Sequence, residues 1–427
     1  MNRLEFITEV FSLCGLASLK ILQPERSQEL DLKLSHLIDK QENQHKDEDF
    51  WSWVRNEFRI SSNIINLNNG GVSPHPKIVQ ETMFRYHEYS NEAPSYNMWK
   101  ILDQSREGLR KKLALACGVS AEEICINRNS TEGLNTVIFG LNLRRGDEVV
   151  LSKYDYPNMM NAWKQRAKRE GIQLVWIENL PQPFTTEEEV VERYARAITP
   201  KTKVVHITHM INWTGNVVPV KKIADIAHQK GCEVIVDAAH SYFHLDFKIP
   251  DTGADYLAVS LHKWLHAPFG CGMLYVKKEK IPSVWALLSA TEPDGPDIRK
   301  FEMLGTRSFA IEMAIGAALD FHLAIGAERK HKRLQFLKEY WYKDTAQWSN
   351  AVRYTSDNPA FYGALATIGF QNKKAEELEQ FLFNKYRIHV VPIVHEGVNG
   401  IRVTPSVYTS LNDLDLLKEG LEAFMKK

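Results

Sequence analysis

Two short stretches, residues 233–240 and 256–264, constrain this chain more than anything else in it. Val234, Ile235 and Val236 form a β-branched run, the pattern of a strand buried on both faces. The run stops on an acid, Asp237, followed by Ala238-Ala239-His240. After a loop containing Pro250 and Gly253, a second apolar run ends in Ser260-Leu261-His262-Lys263-Trp264. Two neighbouring buried strands would deliver a carboxylate and an amine to one edge of a sheet. Open α/β sheets place their ligands at that edge.

A carboxylate and a lysine so placed suit pyridoxal phosphate. The lysine forms a Schiff base with the cofactor aldehyde, and the acid keeps the pyridine nitrogen protonated so that the ring accepts electrons. Desolvation and a nearby cationic ring lower the lysine pKa and make the amine nucleophilic. Taken singly, a surface lysine after a strand and an acid capping a helix are ordinary. In this order, with His240 and His262 beside them, they point to the cofactor.

The rest of the chain repeats one unit. Strands are expected at 148–152, 172–177 and 203–210, separated by helices at 157–170 and 186–198, with another helix at 220–230. Pro157 and Gly171 suit the start and stop of the first of these helices. Strand–helix–strand units of this length imply a mostly parallel sheet covered on both faces. At Ile124-Cys125-Ile126-Asn127-Arg128-Asn129-Ser130-Thr131-Glu132-Gly133 a short strand meets a helix start, where free N–H groups and hydroxyls coincide. Such a terminus either holds a phosphate or is an ordinary Ser/Thr cap. His206 and His209 are three apart, so a strand points them to opposite faces and they do not form a joint metal site. His262 and His266 have helical zinc-ligand spacing, but Pro268 cuts any helix short, and no metal is expected.

The motifs Asp237-Ala238-Ala239-His240 and Ser260-Leu261-His262-Lys263-Trp264 resemble those of the class V aminotransferase family of fold-type-I pyridoxal phosphate enzymes. The likeness runs from about Phe50 to the C-terminus, and within the family it is to isopenicillin N epimerase-like proteins. It implies a type I α/β fold, a mostly parallel seven-stranded-type sheet covered by helices, with a smaller α+β C-terminal domain. The implied divisions are a segment at 49–75 packing on the small domain, a cofactor domain at 76–288 and the small domain at 289–427. Residue by residue, the resemblance implies that Ser130 and Thr131 bind the phosphate, with Ser260 and His262 as further phosphate ligands. Tyr156 would stack on the cofactor, though a buried structural tyrosine is the alternative. Asn212 and His240 would bond the ring oxygen, Asn212 alternatively the substrate carboxylate. Arg402 would hold that carboxylate as a bidentate pair. Asn69 and Gly70 fall on the substrate side, although Asn68-Asn69-Gly70-Gly71 also reads as a plain turn. Thr306, in Gly305-Thr306-Arg307-Ser308, would cross a two-fold interface to the phosphate of a neighbouring subunit, so the implied state is a homodimer with shared sites.

Composition sets the limits. A chain of 427 residues is too long for one typical domain. Its 53 basic and 53 acidic residues balance, which argues against a nucleic-acid or strongly anionic membrane partner. Cys14, Cys117, Cys125, Cys232 and Cys271 form neither a CxxC pair nor a secreted framework and read as reduced thiols. No run reaches the roughly 18 apolar residues of a membrane span. Residues 1–48 form an N-terminal arm or a degenerate signal-like segment. With one arginine, Lys20 interrupting the apolar run and no clear cleavage site, a cytoplasmic location is expected, with periplasmic export through a degenerate twin-arginine signal as the alternative.

The implied chemistry is removal of the α-proton of an amino acid with Lys263 as base. Racemisation, transamination and elimination all branch from there. A Cys-persulfide mechanism needs a thiol on a loop before Arg402, and no cysteine lies between Cys271 and Arg402. No residue identifies itself as the second proton donor that epimerisation needs. A lyase without a persulfide, or a non-catalytic dimeric binding module that kept the fold, are the other possibilities.

Overall fold

The computed structural model describes residues 44–427, and the signal-like stretch considered above lies outside the described residues. Helix α1 (Glu48–Asn56) is capped by Asp47, whose side chain accepts from the Phe50 N–H. Strand β1 (Ile65–Asn66), helix α2 (Lys77–Glu92) and helix α3 (Asp103–Cys117) lead to the repeating units. These are β2 (Ile124–Asn127), α4 (Ser130–Gly140), β3 (Glu148–Ser152), α5 (Pro157–Glu170), β4 (Gln173–Ile177), α6 (Glu187–Ala197), β5 (Thr202–Thr208), α7 (Val220–Gln229), β6 (Glu233–Asp237), β7 (Tyr256–Ser260) and β8 (Gly272–Val276).

The large sheet has seven strands in the order β2-β8-β7-β6-β5-β3-β4. All neighbours are parallel except at β8, which runs antiparallel to both β7 and β2. Six strands therefore share one C-terminal edge. The central strands β6, β7 and β8 are buried at nearly every position, which is why they read as unbroken apolar runs and not as alternating ones. Burying each of Val234, Ile235 and Val236, all 0 % exposed, contributes about 1.5–3 kcal/mol relative to leaving it in water. The expected type I architecture is the observed one.

Beyond β8 come α8 (Phe309–Ile325), α9 (Ala327–Tyr342), β9 (Ala351–Arg353), β10 (Ala366–Phe370), α10 (Ala375–Tyr386), β11 (Ile388–His389), β12 (Val391–His395), β13 (Val398–Val403) and α11 (Leu411–Met425). Strands β12-β13-β10-β9 form a four-stranded antiparallel sheet. Its core of Leu337, Trp341, Ile368, Leu382, Ile401 and Leu417 is separate from that of the large sheet. Strand β1 pairs in parallel with β11, so the N-terminal segment docks on this smaller body. Helix α8, although it follows residue 288, buries Ala314, Ile315, Ala318 and Leu319 in the same core as Leu109 and Leu113 of α3. No single helix among the described residues is long and apolar enough to cross a membrane.

Candidate active site

The shared edge of the large sheet gathers most of the expected residues. Asp237 is the last residue of β6, and Lys263 follows β7 by three residues. Lys263 Nζ lies 3.2 Å from His240 Nε2. Asp237 is buried, and its Oδ1 accepts from the Ala239 N–H at 3.0 Å. Burial pushes the Asp237 carboxyl up, against the pull of the Ala239 N–H and of Lys263. Burial also lowers Lys263 to about 8, with Arg402 adding to the effect and Asp237 opposing it. Desolvation thus moves both groups toward their neutral forms. His240 is held well below the ordinary histidine range by burial first and then by Lys263 and Arg402.

At the neighbouring corner, helix α4 begins with Asn129 as N-cap, its side chain accepting from the Glu132 N–H at 2.9 Å. Ser130 Oγ and Ser260 Oγ are 2.8 Å apart, and the Ser130 N–H donates to Ser260 Oγ at 3.0 Å. Gly272 stands between Asn127 and Ser260 in the ladder. A Cβ there would lie 2.6 Å from Asn127 Oδ1, so only glycine leaves the row open. Thr131 sits on the first turn of α4 beside Ser130. His262 is half-buried, its Nδ1 donating to the Cys271 carbonyl at 3.2 Å, and burial lowers it to about 4.

Arg402, on β13 of the small sheet, reaches across to the large one. Its Nη1 donates to the Asn212 carbonyl at 3.1 Å and its Nη2 to Asn68 Oδ1 at 2.9 Å. Burial lowers it to about 10, while nearby Tyr156 favours the charged form. Tyr156 immediately precedes α5 and is 38 % exposed, so it stands at the mouth and not in the core. Gly70 packs against the same group: a Cβ on it would meet His240 Cε1 at 3.2 Å.

Asn69 makes its side-chain hydrogen bonds within the protein. Its side chain is fully buried and its amide is saturated. Oδ1 accepts from Asn66 Nδ2 and Tyr408 Oη, and Nδ2 donates to the carbonyls of Asn66 and Thr404. No donor or acceptor is left for a substrate. Asn68, one residue earlier, faces Arg402 instead. Nothing in Asn68-Asn69 distinguished the two; only the partnering of β1 with the small domain does. Thr306 is not brought to this cluster within the chain: it is exposed and makes no hydrogen bond to it. Sequence reasoning also missed Asp155, which accepts from the N–H groups of Ser152 and Thr208 and is raised to about 7 by burial and by Asp237. Among the described residues no cluster of three or more His, Cys, Asp or Glu side chains is placed to hold a metal ion.

Pyridoxal phosphate fits what the residues leave open. Asn212 Oδ1, His240 Nδ1 and Arg402 Nε are buried without a hydrogen-bond partner, an arrangement that native proteins keep only with reason. Two cationic side chains, Lys263 and Arg402, share the cluster with a single adjacent carboxylate, Asp237. An anionic ligand gives Arg402 Nε an acceptor and offsets the second cation, and a ligand hydroxyl or N–H gives Asn212 Oδ1 a donor.

The sequence matches the profile of the aminotransferase class-V family over residues 65–401. It is 24% identical to an isopenicillin N epimerase of Streptomyces clavuligerus over 390 residues, covering 87% of this chain and 98% of that protein. It is 29% identical to a probable cysteine desulfurase of Synechocystis over 406 residues, covering 87% of this chain and 95% of that protein. Among solved structures, a variant of the enzyme C-DES with glycine covalently linked to its PLP cofactor superimposes with a TM-score of 0.77. It shares 22% identity and covers 86% of this chain and 98% of that one, a likeness of fold.

Proposed function

The chain belongs to the aminotransferase class-V family, whose cofactor is pyridoxal phosphate, and from that premise we propose that it acts on the α-carbon of an amino acid in the manner of an epimerase, or of a lyase that uses no persulfide. When bound, the cofactor supplies an aldehyde for covalent attachment and an electron sink for the bond broken at the α-carbon. The remaining work falls to this chain's own side chains. Ser130, the start of α4 with Thr131, Ser260 and His262 bind the phosphate by hydroxyl, ring and backbone donors. Asp237 holds a proton on the pyridine nitrogen. His240 and Asn212 would hold the ring oxygen, and Tyr156 would lie against the ring. Arg402 fixes the substrate carboxylate through a planar fork matched to it. Lys263 Nζ is the point of attachment and, once released, takes and returns the α-proton.

The observation that carries this proposal is the pairing of Lys263 with the neutral ring of His240 at 3.2 Å, beside Arg402. A lysine lowered to about 8 is populated as free amine near neutral pH. Among the described residues a persulfide route fits poorly, because Cys117, Cys125, Cys232 and Cys271 are all buried and burial raises their thiols. We further propose that two copies assemble so that Thr306 of each serves the site of the other.

The test is reconstitution with pyridoxal phosphate, followed by α-proton exchange in deuterated water across a panel of amino acids. The wild type takes up a visible absorption band and exchanges the α-proton of at least one amino acid; Lys263→Ala does neither. A protein that stays colourless after cofactor addition sinks the proposal.

A further inference from the structure

His244 stands outside the residues assigned above, and the site is built around it. It is 1 % exposed and lies one turn beyond His240. Its Nδ1 is 2.8 Å from the His240 carbonyl, and the Ala364 N–H donates to its Nε2 at 2.7 Å. A carbonyl only accepts and an amide N–H only donates, so the proton is on Nδ1 and Nε2 is bare. Its ring stacks on Trp264, the residue after Lys263, with centroids 3.6 Å apart and planes at 24°. The Trp264 carbonyl is in turn gripped by the buried amine of Lys330. Ala364 leads into β10, where Thr367 pairs directly with Arg402.

The backbone around these contacts is costly to hold. Phe243, immediately before His244, has φ 60°, and His266, two residues after Trp264, has φ 60°. A bulky side chain in the left-handed region costs about 1–3 kcal/mol and persists only where surroundings enforce it. At Gly363 a Cβ would lie 2.2 Å from His244 Nε2, so the small-domain chain approaches this ring closely only because the residue is glycine.

We propose that His244 is a positioning residue that sets the spacing between the amine of Lys263 and the guanidinium of Arg402, by tying the His240 turn, the Trp264 ring and the start of β10 to one imidazole. This rests on the function proposed above. The charged and titratable groups around His244 are Lys330 and His331 of α9 and His240 of its own turn, and burial keeps the ring neutral among them. Those around Lys263 are Asp237, Arg402 and His240.

The two hydrogen bonds separate in two substitutions. His244→Asn keeps a donor where Nδ1 stands and loses the acceptor for Ala364. His244→Gln keeps an acceptor where Nε2 stands and loses the donor to His240. A small displacement of a positioned group costs on the order of tenfold or more. His244→Asn is therefore expected to raise KM for the amino acid by about tenfold, with the pH midpoint of the visible band moved less than in His244→Gln. His244→Gln is expected to move that midpoint by about 0.5 pH unit or more, through Lys263, with KM changed less. Trp264→Phe, a milder change, is expected to shift the midpoint in the same direction as His244→Gln and keeps the test open if either imidazole variant fails to fold. A fall in melting temperature with KM and midpoint both unmoved in the variants that fold overturns the inference alone. Absence of a band in the wild type overturns the proposed function and this inference with it.

Discussion

Replacing Arg402 by methionine tests the substrate side of the site with a magnitude taken from its geometry. Arg402 is 7 % exposed, and its guanidinium donates to the Asn212 carbonyl and to Asn68 Oδ1, leaving Nε buried without a partner. A carboxylate that accepts from Nε and from one free Nη hydrogen gains two charge-assisted hydrogen bonds, each worth about 1.5–3 kcal/mol. Losing both costs about 3–6 kcal/mol, a factor of roughly 150 to 25,000 in kcat/KM. Methionine keeps much of the volume, so the further cost is the desolvated Asn212 carbonyl and Asn68 amide oxygen, about 1–3 kcal/mol of stability each if they find no water. The assay is the rate of α-deuterium incorporation for an amino acid, beside that for the amine with the same side chain and no carboxylate. In the wild type the amino acid is preferred by the factor above; in Arg402→Met the two converge. A variant that loses the same factor for both compounds refutes the assignment, because the arginine would then be acting through the fold.

Three other outcomes follow from buried groups. Lys330 is 1 % exposed and burial lowers its ammonium to about 7, against about 10.4 in the unfolded chain. The unfolded state binds more protons between those values, so stability rises with pH across that window, by up to about 1.4 kcal/mol per unit. The urea midpoint is expected to climb from pH 7 to 9.5 more steeply in the wild type than in Lys330→Met; equal slopes would remove Lys330 as the cause. Glu302 is buried and accepts from Arg110, Arg106 and the Ile126 N–H. Glu302→Leu removes the carboxylate that Arg106 and Arg110 share, leaving Arg106 with Glu312 and Arg110 with Glu107, and is expected to cost about 1–3 kcal/mol in urea unfolding, whereas a loss below about 1 kcal/mol would mean the network is wet. The Cys271 thiol is buried, so Cys271→Ala is expected to keep α-proton exchange; its abolition would reopen a thiol mechanism.

Much of the fold was legible because the β-α rhythm is written in period. The unbroken apolar runs at 234–236 and 256–259 become β6 and β7, and Pro157 and Gly171 bound α5 as their backbone preferences dictate. The residues ending those strands were legible as a site for the same reason: parallel strands bring their C-terminal ends to one edge. What sequence could not separate is set by contacts between distant segments. Asn68 and Asn69 are adjacent and chemically identical. Pairing of β1 with β11 and the bridge from Asn68 to Thr404 turn one amide toward Arg402 and the other into the Tyr408 network. His244 likewise has no motif around it, since its partners lie 120 residues downstream in Ala364 and across the sheet edge in Trp264.

The charge distribution of the site also limits what it can bind. Burial lowers the tendency of Lys263 to carry charge, Arg402 adds to that effect, and His240 is kept neutral beside both. Asp237 is the one carboxylate that offsets Lys263, and burial works against its own ionisation. Such a cluster is costly without a partner, because a buried guanidinium and a half-buried ammonium repel where water is largely excluded. A ligand bearing a phosphate at the Ser130–Ser260 corner and a carboxylate at Arg402 relieves that cost at both ends. A cationic nitrogen lying over Asp237 would favour that acid's charged form. On the proposed function the anionic groups come from cofactor and substrate together, and an amine lacking a carboxylate leaves the Arg402 end uncompensated. Selectivity for amino acids over amines is thus expected to grow as salt is lowered around the partly open mouth at Tyr156; a selectivity independent of ionic strength would place its origin wholly in the desolvated fork of Arg402.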